Sequence, residues 1–212
     1  TRGGLHLFDR DTGTFISYRH DPADPTSLSD NDIQVFFVDQ VGRFWVGTRK
    51  GLNLFDPRSK TFTRYMHDPA DANSISDNSI LTVYQDTTGM LWIGTKDGFN
   101  RFDPQQRKFK VYREKQGLSN NVVYGILEDK SANLWLSTNR GINRFNPQTE
   151  VFSHYYVNDG LQSNEFRQGA VLAAPDGRFF FGGINGYNAF YPEDIVDDPH
   201  APTLAVTDFL LL

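Results

Sequence analysis

A repeat of 43 to 47 residues constrains this chain more than any other feature of it. Residues 2–48 laid over 49–95 give 24 identities in 47 positions without a gap, and the register then continues. Gly4, Gly51, Gly98, Gly141 and Gly186 recur at spacings of 47, 47, 43 and 45, and Phe8, Phe55, Phe102, Phe145 and Phe190 keep the same intervals. Self-similarity at this length marks a stack of supersecondary units, each of which buries its apolar face only against its neighbours.

The content of one period identifies the unit. Each holds four short apolar segments separated by turn chemistry, as in a four-stranded propeller blade. In the second period the strands are expected at Ser79 to Asp86, Met90 to Lys96, Gly98 to Asp103 and Lys108 to Arg113. The turn Asp86-Thr87-Thr88-Gly89 has Asp39-Gln40-Val41-Gly42 as its counterpart, with Asp accepting from the turn backbone and Gly supplying positive φ. The second strand carries Phe44-Trp45-Val46, Leu91-Trp92-Ile93, Leu134-Trp135-Leu136 and Phe179-Phe180-Phe181. Three consecutive large apolar residues break in/out alternation and require a sheet covered on both faces, which assigns Trp45, Trp92 and Trp135 to packing between blades. The fold class is therefore all-β: a partial β-propeller of four-stranded antiparallel blades, about four to four and a half repeats, with complete blades near 32–66, 79–113 and 121–157. Residues 1–192 form the blades of an incomplete ring. Residues 193–212 are a linker followed by a closing strand or the first strand of a further domain.

Composition agrees and narrows the function. Eighteen Phe, nine Tyr, eighteen Gly and ten Pro suit many short strands and tight turns, and helix is expected to be nearly absent. A net charge of −5 with no long Lys/Arg run offers no footprint for nucleic acid or an anionic membrane. No apolar run is long enough to span a bilayer, so direct membrane contact is not expected. The absence of Cys excludes disulfides, thiolate zinc sites and a Cys nucleophile while leaving the compartment open.

The string Gly-x-x-Trp-x-Gly-Thr-x-x-Gly-Leu-x-x-Phe-Asp-Pro at Gly42 to Pro57, with Phe62, Tyr65 and Ser74 to Ile80 after it, resembles the two-component regulator propeller repeat. The resemblance runs over about residues 2–191. The segment Ala201 to Phe209 is similar to the opening of the immunoglobulin-like module that follows such propellers. The family implies a periplasmic sensor region, commonly two seven-bladed propellers and an immunoglobulin-like domain, ahead of a membrane helix and a cytoplasmic histidine kinase or diguanylate cyclase. It implies a non-catalytic ligand-recognition role, with an oligosaccharide as the first ligand to consider. Partners implied are the remaining blades and the immunoglobulin-like domain of the same protein. The chain departs from the repeat at Ser137 and Ala132, each in place of a Gly, and at Phe180 in place of Trp.

Chemistry-bearing residues follow the repeat instead of forming one special constellation. His20 and His67 share a repeat position in His-Asp-Pro-Ala-Asp, which favours a loop-ordering role over metal binding. The acidic loop Asp21 to Asp32 lacks the spacing of a calcium loop. No nucleophile elbow or phosphate-cradling glycine loop is present, so no catalytic residue, metal or cofactor is assigned. Two further classes stay open: an interaction scaffold, against which the WD-type signatures are lacking, and a propeller lyase or hydrolase, which would need an unrepeated His/Glu pair. Ligand contacts are sought on loops, where side chains vary while strands repeat. Loops joining the second and third strands carry Arg49, Lys50, Lys96, Asp97, Asn139, Arg140 and Asn185, the candidate ligand-binding residues, with solvated surface charge as the plain alternative. The inter-blade segments Ser29-Asp30-Asn31, Ser76-Asp77-Asn78, Ser119-Asn120-Asn121 and Ser163-Asn164 offer polar groups whose simpler role is capping turns. Inter-blade surface left open at the ends predicts self-association of the chain.

Overall fold

The computed structural model describes residues 3–196. Strands β1 (Leu5–Asp9) and β2 (Thr14–Tyr18) pair as a two-stranded sheet. Three four-stranded meanders follow: β3 (Ile33–Val38), β4 (Phe44–Thr48), β5 (Gly51–Asp56) and β6 (Thr61–Tyr65); β7 (Ile80–Gln85), β8 (Leu91–Thr95), β9 (Gly98–Asp103) and β10 (Lys108–Tyr112); β11 (Val123–Glu128), β12 (Leu134–Thr138), β13 (Ile142–Asn146) and β14 (Val151–Tyr155). A three-stranded sheet ends the series, with β15 (Phe166–Ala173), β16 (Phe179–Gly183) and β17 (Gly186–Phe190). All pairings are antiparallel, and the only helical segments among the described residues are 3-10 turns of three residues each. The partial propeller expected from the repeat is the fold observed. The strand-like run at 203–212 and its immunoglobulin-like reading lie outside the described residues.

The blades stack through their innermost strands, β3 on β7, β7 on β11 and β11 on β15. The repeated tryptophans stand between blades as their flanking hydrophobics required. Trp45 meets Phe102 of the next blade at 5.5 Å between ring centroids, Trp92 meets Phe145 at 5.6 Å, and Trp135 meets Phe190 at 5.2 Å. Each indole donates its Nε1 proton to the Asp six residues before it, at 3.0 Å from Asp39, 2.7 Å from Asp86 and 2.8 Å from Asp129. The same carboxylates accept backbone N–H groups of their own turns, so one residue closes the turn between the first and second strands and orients the packing ring. Ala132 holds the left-handed turn position at φ 60°, where Gly42 and Gly89 stand in the earlier blades.

Changes in the period have a structural source. The connection between blades occupies residues 66–79 before β7 but only 113–122 before β11 and 156–165 before β15. The shorter connections turn through Glu114–Gln116 and Val157–Asp159, each closed by a left-handed glycine, Gly117 or Gly160. The last period lengthens again inside a strand. Phe166 pairs with Gly183 and Val171 with Phe181, leaving residues 167–170 opposite Gly182 alone, where β3, β7 and β11 carry a bulge of a single extra residue.

Candidate functional site

Antiparallel alternation places two sets of connections at the same end of every blade: those joining the second strand to the third, and those leading to the next blade. A backbone bond ties each pair. Gly51 N–H donates to Asn78 O at 2.7 Å, Gly98 to Asn121 O at 2.8 Å and Gly141 to Asn164 O at 2.7 Å. The glycine is required twice over, because φ is positive there and a β-carbon on Gly51 would lie 2.9 Å from the Tyr65 carbonyl oxygen.

Beneath this face lies a buried polar triad repeated three times. Ser29 N–H donates to Asn53 Oδ1 at 2.9 Å, Asn53 Nδ2 returns a proton to Ser29 Oγ at 2.8 Å, and Ser29 Oγ bonds Thr48 Oγ1 at 2.8 Å. Ser76, Asn100 and Thr95 repeat it, as do Ser119, Asn143 and Thr138. Ser29, Ser76 and Ser119 of the inter-blade segments are thus internal struts, whereas Ser163 accepts the Glu165 N–H at 3.2 Å. Their asparagines are committed as well: Asn31, Asn78, Asn121 and Asn164 each accept a backbone N–H from the residue that starts the connection or its neighbour. Turn capping is what these positions do.

The loop-ordering histidines are equally plain. His20 Nδ1 lies 2.8 Å from Leu28 O and His67 Nδ1 2.8 Å from Ile75 O. The acidic loop is held by Arg64, whose guanidinium donates to Ser27 O, Asp24 O and Ser27 Oγ at 2.7 to 2.8 Å. Asp24 accepts from both the backbone and hydroxyl of Thr26, bonds that hold its carboxyl below the usual range.

The seven candidate residues all sit on this face, but not in equivalent states. Arg49 Nε pairs with Asp32 at 2.9 Å, and Lys50 Nζ lies 3.7 Å from Asp30. Asp97 accepts from Arg113 Nε at 3.1 Å and Asn121 Nδ2 at 2.9 Å, which makes it a brace for the next connection. Asn185 uses its backbone N–H on Gln162 Oε1 at 2.8 Å. Lys96, Asn139 and Arg140 are exposed, and neither Lys96 nor Arg140 makes an ion pair among the described residues.

Sequence reasoning missed a second ring on the same face, the bulge residues of the innermost strands. Gln34, Leu81 and Tyr124 occupy the bulge in the first three complete blades, and Arg167 to Ala170 fill the enlarged one. Gln168 Nε2 reaches across to Leu81 O at 3.1 Å, joining blades two apart and narrowing the axis. No signal in the sequence marked these positions, since the residues from Gln34 to Val38 all differ from their counterparts Leu81 to Gln85.

The shifts of the tyrosines and their carboxylate partners have structural causes. Burial pushes the Tyr84 phenol up, with Glu128 beside it adding to the shift. Burial also raises Tyr112, which donates to Glu150 at 3.0 Å. Glu150 is itself held low, first by its bond from Lys110.

Comparison with known proteins finds similarity to a propeller repeat family and to solved propeller structures. The two-component regulator propeller model matches residues 27–50, 74–97 and 117–140. No curated protein matches. The extracellular domain of the hybrid two-component system BT3049 from B. thetaiotaomicron is 27% identical with a TM-score of 0.79, over 95% of this chain and 27% of that one. The extracellular domain of the one-component system BT4673 from the same organism is 21% identical with a TM-score of 0.66, over 91% and 34%. Virginiamycin B lyase from Staphylococcus aureus, 12% identical with a TM-score of 0.62 over 87% and 61%, shares the fold alone. The chain spans about a third or less of the length of the two sensor domains.

Proposed function

Taking as premise that this chain carries repeats of the two-component regulator propeller family, we propose that it is an extracytoplasmic, non-catalytic recognition module of a bacterial signalling protein, binding a polar, hydroxyl-rich ligand such as an oligosaccharide. The observation that carries the reading is the contrast on one face: a buried Ser-Thr-Asn triad common to the three complete blades supports exposed loop residues that change from blade to blade. Packing constrains the first set and leaves the second to recognition. The sensor domains similar to this chain are extracellular, and no helix among the described residues is long and apolar enough to cross a membrane. Periplasmic residence and attachment to a kinase or cyclase output belong to this proposal.

Lys96, Asn139 and Arg140 are the contacts most available to a ligand, with Arg49 and Lys50 reachable by exchange of their exposed ion pairs. Such pairs contribute about 1 kcal/mol or less and yield readily to a better partner. Titrating a panel of oligosaccharides and small organic acids against wild type and the Arg49→Ala, Lys96→Ala, Arg140→Ala variant tests the assignment. A ligand bound by wild type and weakened at least tenfold in the variant is the expected result, and equal affinity overturns it.

A further inference from the structure

The two connections that begin His-Asp-Pro-Ala-Asp fold alike but are held by different side chains. In each, a serine accepts the N–H of the first Asp and donates to its carbonyl: Ser27 with Asp21 at 2.8 and 3.0 Å, Ser74 with Asp68 at 3.0 and 2.9 Å. In each, the outermost strand of the blade donates one backbone proton to the loop, Phe62 N–H to Thr26 O at 2.7 Å and Phe109 N–H to Asn73 O at 2.8 Å. The two loops therefore present the same acceptors. What meets them differs. Opposite Asn53 on the outermost strand stands Arg64, opposite Asn100 stands Val111 and opposite Asn143 stands His154. Arg64 gives Nε to Ser27 O and Nη2 to Asp24 O, Ser27 Oγ and Leu28 O, at 2.7 to 3.2 Å. His154 Nε2 donates to Gly117 O at 2.6 Å. Val111 has no proton to give.

Beside Val111 the equivalent residues Asp71, Ser74 and Ile75 line a cavity of about 290 Å³. That is about ten times the ~30 Å³ share of one water, room for the four heavy atoms of a guanidinium and the methylenes behind it. Among the described residues Ser74 O accepts no hydrogen bond, whereas its counterpart Ser27 O takes Arg64 Nε. Asp71 is exposed where Asp24, under the arginine, is half-buried. The carboxylates of Asp68 and Asp71 border the space together with one cation, Arg113, whose guanidinium is committed to Asp97 and Ser76 O. One negative charge is left over, which suits a monocation. The acceptors are spread as Arg64 uses them, over both ends of a planar fork, and a compact ammonium does not span that arrangement.

We propose that the cavity beside Val111 binds the guanidinium group of a ligand, carried either by a peptide arginine or by a small guanidine. Ser74 O, Asp71 O, Ser74 Oγ and Ile75 O accept its protons, and Val111 packs against its methylenes. The chain itself supplies this group in the preceding blade, so the chemistry of the ligand is read from the molecule. The site shares no residue with Arg49, Lys96 and Arg140 and does not depend on an oligosaccharide.

The probes are n-butylguanidinium and N-acetyl-arginine methylamide, titrated against the full chain with backbone amide NMR shifts as the readout. Saturable shifts of the Asp71 to Ser76 amides are expected in the millimolar range. Tighter binding of the arginine amide than of butylguanidinium assigns the group to a peptide, and its absence assigns it to a small guanidine. n-Butylammonium and N-acetyl-lysine methylamide are expected to bind at least tenfold more weakly. Val111→Arg, which places a guanidinium in the cavity from the chain itself, is expected to abolish the shifts while the amide spectrum away from the connection stays that of wild type. Shifts that remain linear through the millimolar range overturn the proposal, as does equal binding of the ammonium compounds or undiminished binding by Val111→Arg.

Discussion

Asp39 shows how one side chain serves the turn, the core and the pH response together. It accepts from Arg43 N–H at 2.8 Å, Arg43 Nε at 2.6 Å and Trp45 Nε1 at 3.0 Å. Burial works to raise its carboxyl, and these bonds outweigh burial, so the group ends below its ordinary value. A depressed folded value contributes stability above the unfolded value near pH 4, lost as pH falls through the folded one. Asp39→Asn is expected to cost about 1–2 kcal/mol at pH 7 and to flatten the acid limb of a stability profile below about pH 4, checked by urea unfolding across pH. Ser137 is the reverse case. In the earlier blades Gly47 faces Val35 and Gly94 faces Thr82 across the ladder, and a β-carbon on Gly47 would sit 2.6 Å from Ile80 Cγ2. Blade three exchanges the roles, with Gly125 facing Ser137. The exchange preserves volume but leaves Ser137 Oγ buried without a hydrogen-bond partner among the described residues. Ser137→Ala is therefore expected to raise stability by about 1 kcal/mol, or a Tm gain of about 2–4 °C by calorimetry.

At the scale of the element, each of the three complete blades is clamped at both ends, by the Asp–Trp turn at one and the Ser-Thr-Asn triad at the other. Asn100 Nδ2 reaches Ser76 Oγ at 2.9 Å and Ile93 O at 3.1 Å, while its Oδ1 receives Ser76 N–H at 2.9 Å, all out of water. Asn100→Ala removes these bonds and strands the buried serine amide, so a loss of about 2–4 kcal/mol is expected in chemical unfolding. The larger effect falls on the connection before β7, whose amides should exchange faster than those of the equivalent connection before β3. Neighbouring blades are also latched at the opposite end: Gln40 N–H donates to Gln85 Oε1 at 2.7 Å and Thr87 N–H to Glu128 Oε2 at 2.9 Å. The fourth blade has Ala173 at that strand position and no side chain able to accept.

For the whole molecule, the packing surfaces between blades continue past the last sheet. Leu172 and Tyr187 are exposed and Phe180 is half-buried, on the position where Trp45, Trp92 and Trp135 meet a following blade. Contiguous apolar surface of this kind drives association. The isolated chain is expected to self-associate at tens of micromolar in analytical ultracentrifugation, and Leu172→Lys with Tyr187→Lys to shift it toward monomer. A monodisperse wild-type monomer would remove this expectation. The same blade carries the enlarged β15 bulge and the Gln168 bond to Leu81, so the asymmetry of the axis comes from one repeat.

Blade number, strand order, the Asp–Gly turns and the inter-blade place of the tryptophans were legible in the sequence, because a repeat repeats its physics: the same residues meet the same neighbours one period on. The candidate face was legible as a set of loops, since antiparallel alternation decides which connections share an end. What Arg49 and Asp97 do there was not, because their partners Asp32 and Arg113 come from other connections and only the folded register brings them within reach. The two extra residues of the last period were visible as a spacing of 45, but whether they lengthened a loop or swelled a strand was decided in three dimensions. Phe166 and Val171 both have fixed partners on β16, so the surplus had to bulge toward the axis between them.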